Sequence, residues 1–148
     1  MDPNLTALVG VGLSITVPVI SAAYSIITCS TVIAGVGIKK PGLLSRLIIT
    51  VVLSEALAIY GLLIAFMLLS ELPIITTTDA ANKALMAGII MAVTSLAAGF
   101  GISYSGSSLA SAALEREETF SSNVIGVVLS EALAIYGLHI AFMVIGQI

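Results

Sequence analysis

The chain has 148 residues, 59% of them apolar and 9% charged, with a formal net charge of −3 and a mean hydropathy of +1.20; a soluble domain carries roughly 25% charged residues. That composition excludes an ordinary soluble enzyme and points to a chain solvated by lipid, and the acidic balance without a basic run excludes a nucleic-acid partner. The single Cys29 forms no internal disulfide, so cysteine says nothing about compartment.

Four stretches are long enough, as helix, to cross a hydrocarbon core of about 30 Å, which takes about 20 residues: 5–37, 47–70, 81–110 and 123–147. The opening "MDPNLTALVG" has no positive n-region and no A-x-A pattern, so the first helix is expected to be retained. It carries the small-residue runs "GVGLS" and "SAAYS", and Pro18, whose ring removes one intrahelical bond and shapes packing. Lys39, Lys40 and Arg46 follow it, and Arg116 lies between the third and fourth helices. Loops 38–46 and 111–122 are therefore expected to face the cytoplasm, because excess Lys and Arg set orientation. Lys83 runs against that rule, while Glu115, Glu117 and Glu118 count little in it. Both termini and the connection "SELPIITTTDAANKA" fall on the opposite side.

The second helix contains "VVLSEALAIYGLLIAFML" from Val51, and the fourth returns with "VVLSEALAIYGLHIAFMV" from Val127. Of these 18 positions 16 are identical, at an offset of 76 residues (131 − 55). The same offset places Gly12 on Gly88, Ala22 on Ala98 and Tyr24 on Phe100. The chain therefore reads as a duplicated hairpin, 1–76 and 77–148. Two crossings per unit make the repeats parallel about the membrane normal. Glu55 and Glu131 then lie at one depth, eight residues inside the expected starts of their helices, which is about 12 Å at 1.5 Å per residue.

A carboxyl there is costly. Insertion scales put Asp at roughly +2.5 to +3.5 kcal/mol at a helix centre, and Glu is similar. Desolvation disfavours the charged form, so the neutral acid can face lipid whereas the anion needs a polar or cationic neighbour. All five basic residues, Lys39, Lys40, Arg46, Lys83 and Arg116, fall in loops. The counter-charge must come from another subunit, a bound cation or a proton. A glutamate that merely holds bundle register by a hydrogen bond is the alternative, and two copies then need two such explanations. The third helix, "AAGFGISYSGSSLASA", keeps bare surfaces at Gly99, Gly101 and Gly106, and small residues let helices approach in lipid. It and the first helix form either an ordinary bundle pair or the inner wall of a ring whose outer helices carry the glutamates.

These segments carry a resemblance. "GVGLSITVPVISAAYSIITCSTVIAGVGIKKP" with "SEALAIYGLLIAF", and "LAAGFGISYSGSSLASAAL" with "SEALAIYGLHIAF", resemble the proteolipid of rotary vacuolar-type ATPases over nearly the whole chain. The resemblance implies an all-α membrane protein of four helices that assembles with other proteolipid subunits into a ring on a central stalk. It also implies that a glutamate on the fourth helix, matched by Glu131, binds the transported ion. The first half resembles the c-double-prime variant, whose essential glutamate is matched by Glu55. This sequence has the strong motif in both halves. Further partners implied are a stator subunit that supplies an arginine, and membrane lipid; a vacuolar or other endomembrane location follows.

Protons are favoured over sodium because a sodium cage needs several oxygens, and the only glutamine, Gln147, lies at the far end. Ser54, Ser130, Tyr60, Tyr136 and Ser95 remain as candidate hydrogen-bond partners. His139 replaces Leu63 of the first copy, eight residues beyond Glu131; a hydrogen-bonded histidine near the interface accounts for it more simply than a proton relay. "LEREETFSSN" and "KKPGLLSR" are either stalk contacts or solvated loops. Two rivals belong to other classes. A small proton-coupled antiporter uses a membrane glutamate but needs aromatic stacking, and this chain has no Trp and 5% aromatic residues. A structural tetraspan protein needs no intramembrane carboxyl. No metal or cofactor site and no Walker motif is present, so ATP hydrolysis is expected to belong to a partner.

Overall fold

A computed structural model describes residues 2–148. The first span is α1, Pro3–Lys39. Asp2 caps it by accepting a hydrogen bond from the Asn4 N–H at 3.1 Å, and Pro3 occupies the first turn, where its missing N–H has no partner to lose. The second span opens with a 3-10 turn at Pro41–Leu43 and a single helical turn, α2, Leu44–Leu47, then runs as α3, Ile49–Glu71. The third, α4, covers Thr78–Glu115 behind a Thr77 cap that accepts from the Ala80 N–H at 3.2 Å. The fourth, α5, covers Phe120–Ile145. All four spans are long and apolar enough to cross a membrane. The protein is an integral membrane protein of four helices.

The expected spans of 5–37, 47–70, 81–110 and 123–147 recur with shifted ends. α4 continues to Glu115 because "SAAL" offers good helix formers after the apolar stretch ends. α1, of 37 residues, and α4, of 38, each extend about 55 Å at 1.5 Å per residue, well beyond a bilayer core of about 30 Å.

The two long helices form the centre. α1 packs most extensively on α4; α3 packs on α1 and α5 on α4, with a narrower α3–α5 seam. The α1–α4 contact is backbone against backbone. A Cβ on Gly88 would overlap the Gly10 carbonyl, and one on Gly10 would stand 2.5 Å from the Ala84 carbonyl oxygen. Close approach of this kind replaces the hydrophobic drive that lipid does not supply. Within the first hairpin, Gly61 leaves room for the Pro18 ring and the Ser14 carbonyl; its repeat mate Gly137 faces Thr94 in the second.

Polarity runs opposite to that of a soluble bundle. Ser14, Ser25, Thr50, Ser54 and Ser95 are fully buried, while Phe66, Leu129 and Met143 are more than half exposed to what would be lipid. Most buried hydroxyls bond carbonyls of their own helix, such as Ser103 to Gly99 at 2.8 Å. Two groups tie the central helices together: the Ser21 hydroxyl donates to the Ser95 carbonyl at 2.7 Å, and the Cys29 thiol to that of Ile102 at 3.6 Å.

The two basic-flanked loops meet at one end. Lys40 Nζ lies 3.6 Å from a Glu117 carboxyl oxygen, and the Arg46 guanidinium sits 4.9 Å above the Phe120 ring. At the other end Lys83 pairs with Asp79 at 2.8 Å and donates to the Gln147 carbonyl at 3.0 Å. Every ion pair among the described residues lies at these ends, none at the depth of a motif glutamate.

Candidate functional site

α3 and α5 are the second members of their hairpins and run in the same direction, so their motifs descend side by side. Counting through the interrupted turn at Ile48, the second span begins at Leu44, and its repeat mate Phe120 begins the fourth. Each glutamate then lies eleven residues inside (55 − 44 and 131 − 120), about 16 Å at 1.5 Å per residue. That is a turn deeper than the expected helix starts implied.

The two carboxyls meet different surroundings. Glu131 is 6% exposed, and its Oε1 accepts a hydrogen bond from the Tyr60 hydroxyl of α3. A helical side chain leans toward the N-terminus of its own helix. Tyr60, five positions beyond Glu55, thus reaches back to the level of the glutamates and finds Glu131. Glu55 is exposed, and none of the side-chain hydrogen bonds or ion pairs among the described residues involves it.

The four candidate supporting residues divide likewise. Tyr60 is half-buried in the seam, and Tyr136 is 62% exposed with no partner among the described residues. Ser54 and Ser130 stand next to the glutamates but donate to their own helices, to the Thr50 and Gly126 carbonyls, each at 2.7 Å. A helical serine bonds back to the carbonyl one turn earlier, whose second lone pair remains open beside the helix's own N–H bond. Ser95 lies at the α1–α4 contact with its Oγ buried and unpaired. His139 Nδ1 is 2.8 Å from the Ile135 carbonyl of its own helix, and the ring is exposed.

Sequence reasoning did not find the Tyr60–Glu131 pairing. Each copy holds a Glu and a Tyr five residues apart, and five residues at 3.6 per turn place them on different sides of one helix. That spacing excludes a bond within a copy and signals a partner on another helix. Chemically, Glu131 has one neutral hydroxyl donor and little access to solvent. The hydroxyl satisfies one carboxyl oxygen, and burial makes a carboxylate without a cationic partner costly. One hydroxyl is far short of the oxygen shell a hard cation requires.

Comparison with known proteins agrees with this architecture. The family model for the C subunit of ATP synthase matches twice, at residues 9–68 and 85–144, and the two matches are displaced by the 76 residues of the internal repeat (85 − 9). The chain is 30% identical over 122 residues to the 16 kDa proteolipid of the V-type proton ATPase of Rattus norvegicus, covering 82% of this chain and 79% of that protein. It is 30% identical over 137 residues to the V-type proton ATPase 16 kDa proteolipid subunit of Entamoeba dispar, covering 90% of this chain and 77% of the relative. Subunit c'' of the V-type proton ATPase of Saccharomyces cerevisiae is 24% identical over 154 residues, covering 99% of this chain and 72% of the relative. A twice-matched family model on a four-helix membrane fold leaves one assignment: the chain belongs to the family of ATP synthase C subunits, as a proteolipid of the V-type proton ATPase kind.

Proposed function

We propose that this chain is a rotor-ring subunit of a vacuolar-type ATPase in a vacuolar or other endomembrane, and that Glu55 and Glu131 carry protons as ATP hydrolysis elsewhere in the complex turns the ring. The observation that carries this is Glu131: a carboxyl at membrane depth, buried, bonded to one phenol and out of reach of every cation of its own chain. In lipid the protonated acid is held by the Tyr60 hydroxyl. Beside a stator arginine or a water channel the proton leaves, because the arginine stabilises the anion that lipid does not. The site then regains a proton from the other side before it re-enters lipid. Each transfer against 100 mV requires about 2.3 kcal/mol, supplied through the central stalk.

Protons fit better than sodium, since the Glu131 carboxyl is bonded to a single phenol, far short of the oxygen shell a hard cation requires. In this arrangement loops 38–46 and 111–122, joined by the Lys40–Glu117 pair, face the cytoplasm toward the stalk. The test is ATP-driven proton uptake by the assembled complex carrying Glu55→Gln or Glu131→Gln, which keeps size and hydrogen bonding but deletes titration. Each single change is expected to abolish or severely reduce pumping, because a rotor stalls at a site that does not ionise. Wild-type transport with assembly intact assigns that carboxyl a structural role.

A further inference from the structure

The 76-residue repeat makes the interface between the two hairpins a template. Within the protomer, the tyrosine of the first hairpin's outer helix serves the glutamate of the second: Tyr60 to Glu131. Advancing each residue by one repeat turns Tyr60 into Tyr136, and moving Glu131 forward by one repeat lands on Glu55 of the next first hairpin. Those two residues are the exposed members of the quartet. We infer that a second copy of this chain completes the Glu55 site, the Tyr136 hydroxyl of one copy donating to the Glu55 carboxyl of its neighbour, so that a ring alternates two equivalent sites. This rests on the ring assembly proposed above.

The central helices make the same transposition. Gly10 against Gly88 maps to Met86 against Gly12; Met86 is 50% exposed, and a Cβ on Gly12 would meet nothing within 4 Å. Ser21 against Gly99 maps to Ala97 against Ala23, both exposed. The Tyr24–Phe100 ring contact, at 5.4 Å between centroids, maps onto Phe100 against Tyr24 of the neighbour, and both rings keep an open face at 51% and 44% exposure. Ala23 and Ala97 keep the second of these contacts small, whereas Met86 stands where the template has Gly10, a side chain set opposite the bare surface at Gly12. A head-to-tail contact of this kind closes into a ring when its rotation divides a full turn. Lipid alone does not explain the face, because it leaves Glu55 unpartnered at membrane depth.

The experiment uses the intact complex built from two differently tagged copies, one with Ala23→Cys and one with Ala97→Cys. Oxidation is expected to give mixed-tag dimers that neither variant gives alone. In parallel, dicyclohexylcarbodiimide labelling is read peptide by peptide. Tyr136→Phe is expected to raise labelling of Glu55 several-fold and leave Glu131 unchanged, and Tyr60→Phe to do the reverse. A ring that yields no mixed-tag dimer, including one that holds a single copy of this chain, overturns the inference and leaves the ring assignment standing. So does any other labelling pattern in an assembled ring. A purified particle with the mass of one chain overturns the ring assignment itself.

Discussion

The two copies of the glutamate motif share 16 of 18 residues and differ in almost everything around them. Glu131 is buried in the α3–α5 seam under the Tyr60 hydroxyl, while Glu55 stands exposed without a partner. Local sequence cannot produce that difference. It arises because two hairpins in one chain share only one internal interface, and whichever glutamate faces it is buried. Environment is thus a property of position in the fold, and one chain displays one motif glutamate with a partner and one without.

The largest expected effect compares two glycines at the same repeat position. Gly88→Val drives a side chain into the Gly10 backbone carbonyl, which has no rotamer to yield. Overpacking costs about 1–3 kcal/mol even where side chains yield, and more here; loss of monodisperse protein in detergent is the expected readout. Gly12→Val points into open space and is expected to leave the isolated chain folded. Equal behaviour of the two variants would remove the α1–α4 contact as the organiser of both sites.

A smaller effect separates the two tyrosines. Tyr60→Phe leaves Glu131 buried without its donor and is expected to cost about 1–3 kcal/mol, read as a lowered midpoint for unfolding of the isolated chain by denaturing detergent. Tyr136→Phe in the same isolated chain removes an exposed hydroxyl and is expected to stay within about 0.5 kcal/mol. The smallest effect concerns the one polar difference between the motifs. His139→Leu restores the residue of the first copy, and the imidazole bonds only its own helix, at Ile135. Proton uptake is expected to be unchanged, and a large loss would make His139 a relay.

Much of the fold was legible in the sequence because lipid imposes length and hydropathy, and the repeat is nearly verbatim over the motif. The ends were less so. Asp2 with Pro3 starts α1 ahead of its apolar run, and Leu44–Leu47 is a turn too short to give a periodic signal. Within the site, both glutamates, both tyrosines and the absence of a cation at their depth could be read from residue types. The pairing of Tyr60 with Glu131 could not, since it joins residues 71 apart whose identities recur in the other copy. The bonds of Ser54 and Ser130 to their own helices, by contrast, follow from the general habit of helical serines to bond the carbonyl four residues back.

The most direct measurement of proton carriage is residue-resolved labelling of the assembled complex with dicyclohexylcarbodiimide, which attacks protonated carboxyls in apolar surroundings. Modification of Glu131 and Glu55, with ATP-driven proton uptake stopping as labelling proceeds, is the predicted result. Labelling confined to the loop residues Glu115, Glu117 and Glu118, with both motif carboxyls untouched, would contradict it.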